Sequence, residues 1–178
     1  RFFAGLNMPE LNEASVFERA YDAGVPMGGE LMINSETSPE FLVWASQDVN
    51  SAALQRLQVV KARVRDGISS ESVYDVACAD GLEVDATTHR CPENGAHVNL
   101  DDCSVSKEVG AAELKAVWTD PDFDSRERAF YYVRVLENPV CRWSTWDAIR
   151  KGVPPRPDLN ATIQERAWSS PIWVGPSE

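Results

Sequence analysis

Residues 128–143 read RAFYYVRVLENPVCRW, and this stretch decides the fold. It opens with charge, runs through strand-forming side chains and stops at Asn138-Pro139. Ala129, Tyr131, Val133 and Val135 fall on one face at a spacing of two, and Phe130, Tyr132, Arg134 and Leu136 on the other. Both faces carry large apolar groups. That predicts a central strand covered on both sides, with Arg134 reaching out or paired.

Moving outward, the next strand signal is Glu165 to Val174, ERAWSSPIWV. Pro171 has no N–H for a ladder, so this strand lies at an edge or carries a bulge there. A short helix and a stiff loop stand between the two stretches, so they can pair antiparallel. The helix is Ser144 to Lys151, with Ser144 as cap, Asp147 in its first turn and Gly152 as its stop. In GVPPRPDLN the prolines fix φ and hold the chain extended.

Upstream, Ala112 to Trp118 reads as a strand and DPDFDS as a turn. Glu30 to Ile33 and Phe41 to Ala45 are further short strands. Leu54 to Val64 fits either a helix face or a strand. Asp66-Gly67 and the β-rich Val73 to Cys78 favour a hairpin, with a loop longer than the ideal two residues. Residues 1–30 differ from the rest. Leu11, Val16, Phe17, Ala20 and Tyr21 recur at helical spacing, predicting one helix over about residues 10–23. Many short strands with few helices describe a mainly β domain, specifically an immunoglobulin-like β-sandwich. Trp44, Trp118, Trp168 and Trp173 lie in its predicted strands and are expected in the core or at its edge.

Ala79 to Gly110 is long and polar for a loop inside one domain. Cysteines account for it. Cys78, Cys91, Cys103 and Cys141 are even in number, which predicts two disulfides and an oxidising, extracytoplasmic setting. Cys91 and Cys103 can staple the loop, and Cys141 can tie the organising strand to it. Three pairings are open. With no C-x-x-C pair, a zinc site using His89 is the weaker reading.

A net charge of −11 argues against nucleic acid and anionic membrane, which both need clustered Lys and Arg. No apolar run reaches the length of a membrane span. The glycine-rich GVPMGGEL, residues 24–31, matches neither phosphate-binding pattern.

Candidate sites are few. Asp120, Asp122 and Asp124 form a D-x-D-x-D run that raises calcium. However, Ser125 stands where the loop's glycine belongs and Tyr131 where its bidentate Glu belongs. A turn with Asp side chains bonded to backbone is the plainer reading. His89 and His97 lack the partners of a triad, and no G-x-S-x-G occurs, so no residue is assigned as catalytic. Trp143 and Trp146, with Arg142 beside them, flank a loop-to-helix junction. They either stack on sugars or pack the short helix on the sheet. Arg134, Glu137, Arg142, Glu165 and Arg166 collect at the ends of the two best strands, as ion pairs or as a surface facing a neighbouring domain.

Six motifs carry a resemblance: RFFAG, GVPMGGEL, LQRLQVVKAR, WTDPDFD, AFYYVRVLENPVCRW and QERAWSSPIWV. In that order they resemble the C-terminal region of a bacterial family described only as domain of unknown function 3604. That family is similar to PHP-type metal-dependent hydrolases, whose divalent metal sits on an upstream catalytic domain rich in His and Asp. The resemblance implies that residues 1–30 are the linker or tail of that domain and residues 31–178 an accessory sandwich. It favours strand for Leu54 to Val64. It carries over no metal, cofactor or catalytic residue. The expected function is a non-catalytic domain that packs on and stabilises the catalytic one. A carbohydrate- or envelope-binding module and an oligomerisation module, pairing edge strands into a homo-oligomer, are the alternatives.

Overall fold

The computed structural model describes residues 1–177. The chain is mainly β. In order come β1 (Phe2–Gly5), α1 (Val16–Ala23), β2 (Gly24–Pro26), β3 (Glu30–Ile33), β4 (Glu40–Ser46), β5 (Leu54–Arg65) and β6 (Ile68–Cys78). There follow β7 (Glu113–Thr119), β8 (Ala129–Glu137), β9 (Val140–Cys141), α2 (Trp143–Lys151), β10 (Thr162–Ile163), β11 (Arg166–Trp168) and β12 (Ile172–Pro176).

One sheet has the order β2-β1-β4-β7, and a larger one has the order β3-β12-β8-β5-β6. β11 joins the larger sheet by pairing with β8, and β9 and β10 form a separate two-stranded ribbon. The ladders are antiparallel except that between β12 and β3, which is parallel. Both large sheets contribute to one core. Phe2, Phe41 and Val43 from the smaller meet Leu57, Val59, Tyr131, Val133 and Ile172 from the larger. Phe41 and Tyr131 touch across the sheets, with ring centroids 4.4 Å apart. Each such fully buried side chain stabilises the fold by about 1.5–3 kcal/mol.

β8 is the central strand expected, with β5 on one side and β12 followed by β11 on the other. Contrary to the expectation of cover on both sides, its two faces differ. Ala129, Tyr131 and Val133 are buried, whereas Phe130, Tyr132 and Arg134 are only half-buried. The smaller sheet has its outer face covered instead, because α1 packs Val16 and Ala20 onto Phe3 and Leu42.

The helix α1 begins at Val16, later than the pattern suggested, because residues 10–15 form turns. The expected boundary at residue 30 does not separate two packing units. β1 pairs with β4, and Phe2, Phe3 and Ala4 are all buried. Gly5 and Gly24 face each other in the β1–β2 ladder, where a Cβ on Gly24 would lie 2.1 Å from the carbonyl oxygen of Ala4.

Leu54–Arg65 is a strand, and its hairpin with β6 closes on two residues rather than a longer loop. Arg65 pairs with Ile68, while Asp66 and Gly67 both adopt positive φ, 52° and 77°. Asp-Gly suits this tight turn because both central positions need the left-handed region.

Between Trp168 and Ile172 the predicted terminal strand breaks, with Pro171 in the gap, into β11 and β12. Ser169 spans the break. Its hydroxyl accepts from the backbone N–H of Val133 and its own N–H donates to the Val133 carbonyl. Gly152, in the left-handed conformation, ends α2 by donating to the carbonyls of Ala148 and Ile149. The other end differs from expectation: Arg142 is the N-cap, with no capping side-chain bond from Ser144.

The disulfides are Cys78–Cys91 and Cys103–Cys141. The polar loop is therefore not closed on itself by Cys91 and Cys103. Each disulfide ties it to a different strand, β6 near its start and β9 near its end. Asp75 of β6 reinforces the first tie by accepting from the Cys91 N–H at 2.7 Å and from Arg56 at 3.2 Å. With all four sulfurs so used, no cysteine is free for a zinc site.

Candidate functional site

The outer face of the larger sheet follows from strand alternation. Ile172 and Val174 point to the core, so Trp173 and Gly175 point away from it. Trp173 is opposite Phe130, and their ring centroids are 4.9 Å apart. Phe130 in turn stacks on Tyr132 at 6.4 Å. The Tyr132 hydroxyl reaches Glu71 on β6 at 3.5 Å, which lays its ring across β5 and helps bury Val60.

Three arginines edge this ladder. Arg128 lies over Gly175, where a Cβ would sit 3.0 Å from the arginine Cγ. Arg134 is opposite Trp168, and Arg166 is opposite Leu136. Among the described residues none of the three is in an ion pair. The Nε atoms of Arg134 and Arg142 are buried with no hydrogen-bond partner. Of the two readings of Arg134, Glu137, Arg142, Glu165 and Arg166, as ion pairs or as a surface facing a neighbouring domain, the ion pairs are not formed among the described residues. Glu137 instead accepts from the Ser51 hydroxyl.

The tryptophans do not behave as one class. Trp44 and Trp118 are partly buried and pack against core clusters, as expected for strand positions. Trp168 and Trp173 are 60% and 52% exposed, outside the core itself. Both lie on the outer side of their strands, where alternation removes them from the core. A groove of about 650 Å³ runs beside Trp173 and Phe130, between Ala62, Val64 and Arg128. A second, of about 780 Å³, lies between the sheets, with Trp44, Val135 and Glu165 on its walls. Trp143 and Trp146 are 71% and 38% exposed, so α2 packs through Thr145 and Ala148 instead of through its indoles.

The three aspartates of the D-x-D-x-D run are brought close but serve the protein's own donors. Asp120 accepts from Lys61 at 2.5 Å and Tyr131 at 2.7 Å on one oxygen, and from the Asp122 N–H at 2.9 Å on the other. The Asp122 carboxylate takes the Tyr74 hydroxyl at 2.7 Å, and its carbonyl takes Lys61 at 2.7 Å. Asp124 is bound by the Arg126 guanidinium and backbone N–H, which together hold its carboxyl far below the usual carboxylate range. The run is therefore a structural buckle and does not assemble a cation loop. Among the described residues no group of three His, Cys, Asp or Glu is placed to hold a metal ion.

Sequence reasoning missed Lys61, which alternation puts on the inner face of β5. It is 3% exposed, and burial of that ammonium demands a counter-charge. The signal available was a lysine inside an apolar alternating run. His89 and His97 also have local roles. The His89 ring meets Tyr74 edge-on at 5.2 Å, and His97 Nδ1 bonds the Ser106 hydroxyl at 2.8 Å on an exposed turn.

No curated protein and no solved structure matches this chain. The profile of the family described as "Protein of unknown function (DUF3604)" matches residues 1–176, and the chain belongs to that family.

Proposed function

We propose that this chain is a non-catalytic accessory domain, an immunoglobulin-like sandwich, that docks through the outer face of its larger sheet onto an upstream, PHP-like metal-dependent hydrolase domain of the same protein. One observation carries the reading: aromatic and arginine side chains are concentrated on a sheet face that no helix covers. Aromatics with Arg are the composition of binding hot spots, and uncovered indoles at neighbouring positions mark contact surfaces. The three unpaired arginines suit an acidic partner surface, although the chain as a whole is itself acidic. The divalent metal and the reacting groups belong to the upstream domain. Two disulfides support an extracytoplasmic setting, and no helix among the described residues is long and apolar enough to cross a membrane.

Hydroxyl-radical footprinting of the complete parent protein tests the docking. Trp168 and Trp173 are expected to be protected relative to Tyr21, which is exposed at the other sheet. Oxidation of both indoles at the rate of Tyr21 would sink the reading. Calorimetry of this domain with zinc and manganese is expected to give no tight binding, and micromolar affinity would place metal chemistry here.

A second reading is favoured by the exposure of Trp143 and Trp146, which leaves both indoles able to stack on sugar rings. Binding to a glycan array that disappears in Trp143→Ala would support a carbohydrate- or envelope-binding module. An array without hits removes it.

A further inference from the structure

Lys61 and Asp120 meet inside the protein, both shielded from solvent. The Asp120 carboxylate is fully shielded and Lys61 Nζ stands 2.5 Å from its Oδ2. The amine is held from two sides, by that oxygen and by the Asp122 carbonyl at 2.7 Å. Near them lie the rings of Tyr131, Phe41, Trp118 and Tyr74, which meet one another at tilted angles between the two sheets. Lys61 is on β5 in the larger sheet, and Asp120 immediately follows β7 in the smaller one.

The carboxylate is also polarised unevenly. Tyr131 donates its hydroxyl to Oδ2, the oxygen nearest the amine, at 2.7 Å. The Asp122 N–H donates to Oδ1 at 2.9 Å. The first contact fits an acid that assists a departing oxygen. The second fits a fixed donor that stabilises charge developing on the oxygen left behind. Burial, followed by the charge of Asp120, pushes the Tyr131 hydroxyl strongly up, so it keeps its proton at every physiological pH. Burial fixes the amine beside the carboxylate, and positioning of this kind supplies much of the entropic advantage of an intramolecular reaction.

We propose that Lys61 and Asp120 are a self-modification site at which the two side chains condense into an amide that crosslinks the sheets. The Lys61 ammonium passes a proton to Asp120 Oδ2, leaving a neutral amine and a neutral acid. The Nζ lone pair attacks Cγ, forming the N–C bond, while the Asp122 N–H stabilises the oxygen Oδ1. The Cγ–Oδ2 bond then breaks, with Tyr131 donating a hydrogen bond to the departing oxygen. Oδ2 leaves as water, carrying two of the three ammonium protons, and the third stays on the amide nitrogen. One positive and one negative charge are lost together, so no oxidant, reductant or cofactor is needed. The product removes a charge pair from the core and joins β5 to the end of β7 across the sandwich interior.

The experiment is intact mass measurement of the purified, fully reduced protein, followed by tandem mass spectrometry of its tryptic digest. The expected mass is lower than that of the sequence by one water. The digest should contain a branched peptide in which the segment bearing Lys61 is joined to that bearing Asp120, with no cleavage after Lys61. In Lys61→Arg and in Asp120→Ala the deficit should vanish. A wild-type mass equal to that of its sequence overturns the proposal, as does a water loss mapped elsewhere with Lys61 free. The wild-type measurement decides the matter even if both variants fail to fold.

Discussion

Trp168 of β11 stands directly across from Arg134 of β8, on the side of the larger sheet that faces away from the core. The indole is mostly exposed while the arginine Nε is buried without a partner. A solvated indole beside an unpaired guanidinium adds little to folding. Both groups gain if a partner surface desolvates the indole and supplies an acceptor to the guanidinium.

Truncating Trp173 to Ala should therefore separate folding from docking. Its side chain is half exposed, and surface substitutions usually change stability by less than about 0.5 kcal/mol. Loss of its packing on Phe130 moves the cost toward the upper end of that range. Docking in the parent protein should weaken by about 2 kcal/mol, the level of a binding hot spot. Urea unfolding of the domain and limited proteolysis of the parent measure the two effects. Equal losses in both would remove the docking role of Trp173.

The two disulfides should not be equivalent. Cys78 and Cys91 are 13 residues apart and Cys103 and Cys141 are 38 apart. Chain-entropy arguments give stabilisation of about 3 kcal/mol for the shorter loop and about 4 kcal/mol for the longer. The pair Cys103→Ser and Cys141→Ser should lower the unfolding free energy more than Cys78→Ser with Cys91→Ser. Chemical denaturation of the two double variants checks the order.

Gly24→Ala should damage the β1–β2 ladder. The added Cβ would meet the Ala4 carbonyl oxygen at 2.1 Å, and backbone cannot swing aside as a flexible side chain can. Overpacking of this kind typically costs about 1–3 kcal/mol. Ala4 is fully buried, so the strain reaches the core. Hydrogen exchange should show lost protection in β1 before β8. Unchanged protection of β1 would mean that the strands part without cost.

Alkaline stability should depend on Tyr74. Burial, with a hydrogen bond to Asp122, pushes its hydroxyl up to about 12 from an ordinary 10.0. The folded state holds the proton more tightly than the unfolded chain does, so stability falls where only the unfolded chain ionises. The contribution is fully present below the ordinary value and is lost as pH rises through the folded one. Thermal midpoints should drop across that window, and more gently in Tyr74→Phe. Identical slopes would assign the alkaline limb to other groups, Tyr131 first among them.

The sequence by itself determined the longer alternating strands, β8 above all, and which of their side chains share a face. Alternation in β8, the Asp66-Gly67 turn and the stop at Gly152 are local matters, set by backbone sterics and a period of two. What covers each face was decided only by the tertiary structure. Phe130 and Tyr131 are both aromatic neighbours in one strand, yet Tyr131 is fully buried because β4 lies beneath it, and Phe130 is half-covered because only rings of its own sheet, Trp173 and Tyr132, lie beside it. The same holds for β1, whose four residues carry too little pattern to declare a strand until β4 supplies its hydrogen bonds. Cysteine pairing and the meeting of Lys61 with Asp120 join positions far apart in the chain. Spacing along a strand says nothing of such distances; the packing of two sheets against each other sets them.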